Sequence, residues 1–416
     1  MNVRELTPRE AATAESIQNA LDALAASGGG RLQLPEMDCT LDRGLQLRSG
    51  VELAGRGEKT VLRKGPGRVY PLAGYHNYGM CDAPLRSAKG LSVGMTVMLR
   101  DNLRRGFYST LARILWIDGS WVGLDCGLRA DYAEAEQPRL ATVHPLVFGL
   151  HVRGAAVRDL CLDGRRDDQE EFMDACRGAA LYLYQCRDVE FSNIAGRDCH
   201  GEGLGFQMCR DIVARGCRFE GNAGNGFHPG AGSTNCLFED CQGRANEKSG
   251  FFFCVRANRI TVRGSAFEDN AAGMSVGTRD CYNLIEDCRF ADNRGPGVLF
   301  RPVPPSCPVH SVVLRRCAAE GNAATEGQGQ IAVESPAHDI VAEGNRVAPG
   351  GGSETGIAID PAARNIFLKD NDLSACSCPL QAEAESLASA SPTIEAGYCS
   401  GDETSYRHLA LVWEAL

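Results

Sequence analysis

The chain has 416 residues, with 43 Lys and Arg against 53 Asp and Glu, a net charge of −10 and 48 glycines. That balance supplies no basic face for phosphates, which excludes a nucleic-acid partner. No apolar run approaches the roughly 20 residues of a membrane span, so no membrane partner is expected. A compact fold of this length would split into two or three domains, whereas a solenoid simply adds coils and needs no second core.

Residues 1–62 read as an N-terminal cap with the first coils. Thr7-Pro8-Arg9-Glu10 has the form of a capping box, and Ile17, Ala20, Leu21 and Leu24 give a helical apolar stripe that ends at Gly28-Gly29-Gly30. Strand-like RLQLPE and VELAGRG follow. From 63 to 148 no repeat is visible. Short strand patterns such as MTVML (95–99), ARILWI (112–117) and WVGLD (121–125) imply an inserted small β-subdomain or long loops. Two readings stand for it: packing, or one wall of a binding cleft.

Coils occupy 149–375. Gly203, Gly226, Gly250, Gly273, Gly297, Gly329 and Gly356 each open a short apolar run, and the first five are 23 or 24 residues apart. Segments such as IVARGCRFEGN (212–222) and NLIEDCRFADN (283–293) align Cys217, Cys241, Ser265, Cys288 and Cys317 in one column. Asn222, Asn246, Asn270, Asn293 and Asn322 form a second column five residues on, and Asn345 and Asn371 fall in the first. Columns of small polar residues at this period belong to inward-facing turns whose stacked groups satisfy one another or the backbone. A helical reading fails, because each unit holds period-2 strands separated by Gly, Asn and Asp turns. The expected fold is therefore all-β, a right-handed single-stranded parallel β-helix with an N-terminal capping helix and the inserted subdomain. Residues 376–416 break the pattern, and YRHLALVWEAL (406–416) is expected to form a C-terminal capping helix.

Nineteen cysteines raise the question of disulfides and metals. Stacked one per coil they would lie about 4.8 Å apart, shorter than most disulfide Cα separations. The number is odd and no CxxC pair has a matching pair, so a reduced cysteine ladder is expected and no metal site. The N-terminus lacks a charged segment followed by an apolar one, which makes a cytoplasmic location the default. A secreted chain whose leader had been removed would read the same.

Strand alternation sorts the glycine-led runs. The first and third residues after each glycine are the apolar, inward set, so the second and fourth face out: Gly205 and Gln207, His228 and Gly230, Phe252 and Cys254, Ser275 and Gly277, Leu299 and Arg301, then Ala332 and Glu334, Ala358 and Asp360. Small residues with an aromatic make a floor for a flat ring, and the polar ones can grip it. Arg256 and Arg279 share a register just past the strands and, with Arg301, form either a positive strip for carboxylates or ordinary turn arginines paired with Asp280 and Glu residues. His228 in GFHPGAGS (226–233) is either a proton-transfer group in open space or a histidine bonded to a neighbouring coil. Lys248 enters the next coil as a base, a charge neutraliser or a solvated turn residue, and His200 and Glu202 sit on the turn before, near the same edge. Glu334 and Asp360 project from adjacent coils whose backbones are roughly 4.8 Å apart, compatible with the acid pair of a retaining glycosidase. Asp163 in LDGRRDD (162–168) is a further candidate acid.

These residues also carry a resemblance. The segment from SIQNALDALAASGGGRLQLPE to VELAGRGEKTVL resembles the opening of pectate-lyase-like β-helix proteins, in which a helix plugs the first coil. With VRDLCLDGRRDD (157–168) and the GF-led coils, residues 14–62 and 150–300 are similar to the catalytic module of bacterial mannuronan C5-epimerases. Where those have Gly-Phe-Asp-Pro-His-Glu, GFHPGA here puts His228 at the Asp and Gly230 at the His, so epimerase activity does not carry over. A closer likeness is to uncharacterised bacterial right-handed β-helix repeat proteins with segments like GEGLGFQ (201–207), HPGAGS (228–233), FFFC (251–254), GMSVGTRD (273–280) and GVLFR (297–301). That likeness marks His228, Arg279, Asp280 and Arg301 as a site. The superfamily commonly binds calcium, although no carboxylate cluster in the sequence demands it and no other cofactor is evident.

Three functions compete. The first is β-elimination or C5 epimerisation at a uronate of a polysaccharide or oligosaccharide, with Arg279 and Arg301 neutralising the carboxylate and His228 or Lys248 moving the proton. Glu202, Gln207, Phe252, Arg256 and Asp280 would then bind substrate. The second is a glycoside hydrolase or glycosyl transferase using Glu334, Asp360 or Asp163. The third is a non-catalytic carbohydrate-binding solenoid.

Overall fold

The computed structural model describes residues 2–399, apart from Arg105, Asp174, Ala323, Ala324, Glu326, Gly327, Ser335 and Gly351. The helix expected over 406–416 lies outside the described residues. The contacts divide the chain into two compact units. One holds residues 1–206, 217–228 and 244–248; the other holds 207–216, 229–243 and everything from 249 onward.

In the first unit the α-helix Ala14–Ala26 buries Ala14, Ile17, Ala20, Leu21 and Leu24. Its start corrects the sequence reading. Thr7 and Glu10 do bond reciprocally, but they close only a turn; the helix begins after Thr13, whose hydroxyl accepts from Ser16 N while Ser16 Oγ accepts from Thr13 N. The reciprocal bond in the first turn is what a capping box requires, and a second box six residues on satisfied it. Parallel strands then stack: Gly30–Gln33 on Val51–Ala54, Val51–Ala54 on Arg153–Asp163, and that long strand on Arg187–Arg197. A second face carries Leu45–Gln46, Val147–Leu150 and Leu181–Tyr184 in register. Within 63–148 lies an antiparallel sheet of six strands, running from Val69–Pro71 through Arg139–Thr142, Thr96–Arg100, Thr110–Asp118 and Trp121–Leu124 to Asp82–Pro84. It has its own core of Val97, Leu99, Ile114, Val122, Tyr132 and Leu140.

In the second unit each full coil has three parallel strands. One such coil is Cys281–Glu286, Arg289–Ala291 and Val298–Phe300, each paired with its counterpart in the next, His310–Arg315, Ala318–Glu320 and Ile331–Val333. Phe238, Phe251, Phe253, Phe267 and Phe290 are fully buried between these faces, with ring centroids 4.8 Å apart for Phe238–Phe251 and 5.7 Å for Phe267–Phe290. Stacks of this kind add about 1 kcal/mol per pair beyond the area they bury.

The two polar columns explain the turns. Every column residue follows a left-handed residue: Gly216, Asp240, Gly264, Asp287, Arg316, Gly344 and Asp370 before the first column, and Gly221, Ala245, Asp269, Asp292 and Gly321 before the second. Gly and Asp dominate that slot because the left-handed region strains other side chains. The bend turns the next side chain inward, where it must satisfy buried backbone. Asn222 takes Cys199 N on Oδ1, and Asn222 Nδ2 donates to Asn246 Oδ1 at 2.8 Å. In the second unit Asn270 N and Nδ2 both donate to Asn293 Oδ1, and Asn293 N and Nδ2 to Asn322 Oδ1. Each free Nδ2 hydrogen reaches a carbonyl, such as Phe267 O for Asn293. In the first column Cys241 N donates to Ser265 Oγ and Cys317 N to Asn345 Oδ1. All nineteen cysteines are free thiols.

Candidate functional site

Sequence reasoning placed His228 on an outward face with open space around it, and the structure corrects this. His228 is only 6% exposed, and its Nδ1 lies 3.2 Å from Glu202 Oε1. Glu202, expected to meet substrate, is itself 3% exposed, and its Oε2 accepts Asn225 N at 2.9 Å. Burial alone would raise the Glu202 carboxyl, but His228 and the Asn225 bonds outweigh it and hold the group below its usual range. Glu202, on the turn before Gly203, stands against His228 and takes the space that alternation alone left free. Lys248 is exposed at the neighbouring turn, and His200 is half-buried with its ring 4.6 Å from that of Phe172.

Asp163 is likewise corrected as a candidate acid. Its carboxylate is buried and accepts from Arg63, from Arg197 at 3.1 Å and from Arg165 N, so it anchors the LDGRRDD turn.

In the second unit Arg301 is spent internally. Its guanidinium lies 4.3 Å over the Phe252 ring, donates to Phe253 O at 2.8 Å and Ser275 Oγ at 3.2 Å, and faces Asp280 at 3.7 Å. It rests against Gly277, where any side chain would collide with it. Asp280 is fully buried and accepts Gly277 N and Ala257 N, so it is a loop clasp rather than a substrate ligand. Phe252 serves as the bed of Arg301. Arg256 and Arg279 are exposed, both in left-handed conformations, and Arg256 N donates to Thr278 O beside Arg279. Gln207 is half-buried.

Glu334 and Asp360 come together. The strands Ile331–Val333 and Thr355–Ile359 pair with Val333 opposite Ile359, and the pairing continues one residue further through Asp360 N to Val333 O at 2.8 Å. Both carboxylates are half-buried on the outer side of that strand end. Gln328 Nε2 donates to Glu334, and Asp360 Oδ1 accepts Ala362 N at 2.7 Å. Their backbones pair at sheet spacing, about 4.8 Å, of the order of the roughly 5 Å that separates the carboxyls of a retaining glycosidase.

The first unit holds two cavities that periodicity could not announce. A cleft of about 360 Å³ opens between Phe148 and Tyr182 on the coil face and Arg113 and Asp125 on the antiparallel sheet. A second, of about 520 Å³, is walled by Lys64, Tyr70, Lys89 and His144. Among the described residues no group of three His, Cys, Asp or Glu side chains is placed to hold a metal ion. No described helix is long and apolar enough to cross a membrane.

Residues 149–284 match the family described as right handed beta helix region. No curated protein matches the chain in sequence. In structure it is similar to the A-module of a mannuronan C-5 epimerase of Azotobacter vinelandii, with a TM-score of 0.54 and 16% identity over 93% of this chain and 96% of that one. It is also similar to an exopolygalacturonase of Thermotoga maritima, with a TM-score of 0.48 and 13% identity over 88% and 92%. A third similar structure is the tailspike protein gp49 of Pseudomonas phage LKA1, with a TM-score of 0.42 and 13% identity over 90% and 74%. The parallel three-strand coils and inward polar columns, with the family match over 149–284 and the likeness at a TM-score of 0.54, give one fold: a right-handed parallel β-helix.

Proposed function

We propose that the protein acts on a polysaccharide or oligosaccharide and cleaves it by hydrolysis, with Glu334 and Asp360 as the acid pair. The observation that carries this reading is their juxtaposition at the ends of paired strands, one carboxylate oriented by a backbone N–H and the other by an amide side chain. Asp360, fixed by Ala362 N, serves as the nucleophile, and Glu334 gives the leaving oxygen a proton and later takes one from water. Arg256 and Arg279, exposed three and two coils before Glu334, favour an acidic, uronate-containing glycan. The similar epimerase module acts on mannuronan, which supports a carbohydrate as the substrate class.

Elimination or epimerisation at C5 needs a free cation at the carboxylate and an accessible base. Of the residues considered for that chemistry, Arg301 is engaged with Phe252, Phe253 and Ser275, and His228 with Glu202, so it would fall to the exposed Arg279 and Lys248.

The test is a panel of neutral and uronate glycans followed by two readouts, new reducing ends and absorbance near 235 nm from an unsaturated uronate. Reducing ends without that absorbance are expected, and Glu334→Gln or Asp360→Asn should each lower the rate by roughly 100- to 10,000-fold. Absorbance at 235 nm that survives both substitutions would overturn hydrolysis, and silence on every glycan would leave a binding solenoid.

A further inference from the structure

The cavity of about 520 Å³ in the first unit lies far along the sequence from the acid pair and has its own chemistry. Lys64 ends the strand Thr60–Lys64, where Leu41 pairs with it, and it is half-buried in the cavity wall. No carboxylate neutralises it among the described residues. The other charges on the lining are accounted for. Asp42 is held by Arg43 at 2.9 Å, and Arg68 donates to Asp168 Oδ1 at 3.0 Å and to two backbone carbonyls. That leaves Lys64 and the exposed Lys89 as uncompensated cations facing one space, with Tyr70 beside them; the Thr142 hydroxyl on the same wall is held by Arg68 N and O.

A desolvated ammonium without a counter-charge is costly, and a protein relieves it by releasing the proton or by binding an anion. Burial lowers the Lys64 amine to about 8. Its neighbours do not share the titration: burial and the Lys64 charge push His144 down to about 3, and burial pushes the Cys199 thiol up to about 12. His144 Nδ1 is fixed on Pro145 O at 2.8 Å, so the imidazole stays a neutral wall. Near neutral pH the lining is therefore cationic, and it becomes less so as the amine deprotonates.

We infer that this cavity binds an anionic molecule of monosaccharide size, a sugar acid or sugar phosphate, whose charged group pairs with Lys64 and Lys89 while Tyr70 meets one of its hydroxyls. The volume lies in the range of small-molecule sites and leaves room for one ring with its charged substituent. This site is independent of the acid pair, so it stands or falls without the hydrolysis reading.

The experiment is isothermal titration calorimetry on the full chain with D-glucuronate, glucose 6-phosphate and glucose. At least one anionic sugar should bind ten-fold or more tightly than glucose, and which of the two does so separates a carboxylate ligand from a phosphate one. Lys64→Met should weaken the anion at least ten-fold and Lys89→Met by a smaller factor, in variants whose circular dichroism matches the wild type. Should Lys64→Met fail to fold, wild-type titrations serve instead: affinity for the anion should fall several-fold from about pH 7 to about pH 9.5, while glucose stays unchanged. Equal binding of glucose and both anions, anion binding unaffected by Lys64→Met or by pH, or no binding of either anion at 10 mM would each overturn the site.

Discussion

Two pairs of titratable side chains, His228 with Glu202 and Glu334 with Asp360, have opposite fates. His228 and Glu202 are sealed, at 6% and 3% exposure, whereas Glu334 and Asp360 stay half-open at the ends of their strands. What differs is the neighbouring turn. Glu202 meets His228 and accepts Asn225 N, both from the next coil, so its charge is used to hold two coils. Among the described residues the Asp360 carboxylate takes only the local Ala362 N, which orients it without covering it. A pair that is closed off contributes to stability, and a pair left open remains available for chemistry.

That contrast can be broken by substitution. The largest effect is expected at the sealed pair. Glu202→Ala leaves a buried histidine and Asn225 N without their acceptor and should cost about 3 kcal/mol, read from the denaturant midpoint, with glycan turnover per folded molecule unchanged. The same pair should make stability depend on pH. Because the Glu202 carboxyl is held below its ordinary 4.5, its contribution is present above that value and is lost as pH falls through the folded one. The stability gap between wild type and Glu202→Gln should therefore narrow below about pH 4.5. Phe252→Leu removes the ring under Arg301 and should cost about 1 kcal/mol, with no pH dependence between 6 and 9. The smallest change in stability belongs to the open pair: Glu334→Ala should stay within about 0.5 kcal/mol while abolishing turnover. A Glu334→Ala variant that loses as much stability as Glu202→Ala would erase the distinction.

The parts of the molecule that repeat were legible, because a repeat states its own alignment. The asparagine columns and the alternation of Phe251 and Phe253 with Phe252 follow from spacing alone, and every column residue is buried except the last, Asn371, which is half-buried. Alternation also assigned His228 and Glu334 to one side of their strands. It could not say what lies over that side, since Glu202 belongs to a turn 26 residues earlier whose path has no periodic signature. Nor does a sequence carry the rotamer by which Arg301 folds back over Phe252 instead of facing Glu334. Lys64 and His144 flank the stretch where the beat is lost, and only folding joins the end of one strand to a loop 80 residues away around a single cavity. At the N-terminus two capping boxes compete, and burial of the 14–24 stripe selects the later one.

The asparagine column of the second unit behaves as a polymer with a chain stopper. Asn270 and Asn293 each pass their amide to the next rung, but Asn322 meets Gln330, whose Oε1 accepts Asn322 N and whose Nε2 returns to Asn322 O. The longer glutamine side chain closes the last rung on itself and leaves nothing to hand on. A coil duplicated between Asn270 and Asn293 would be spliced into an unbroken series, while one inserted after Gln330 would find the series already terminated. The length of this column is thus written into a single residue, one methylene longer than the others.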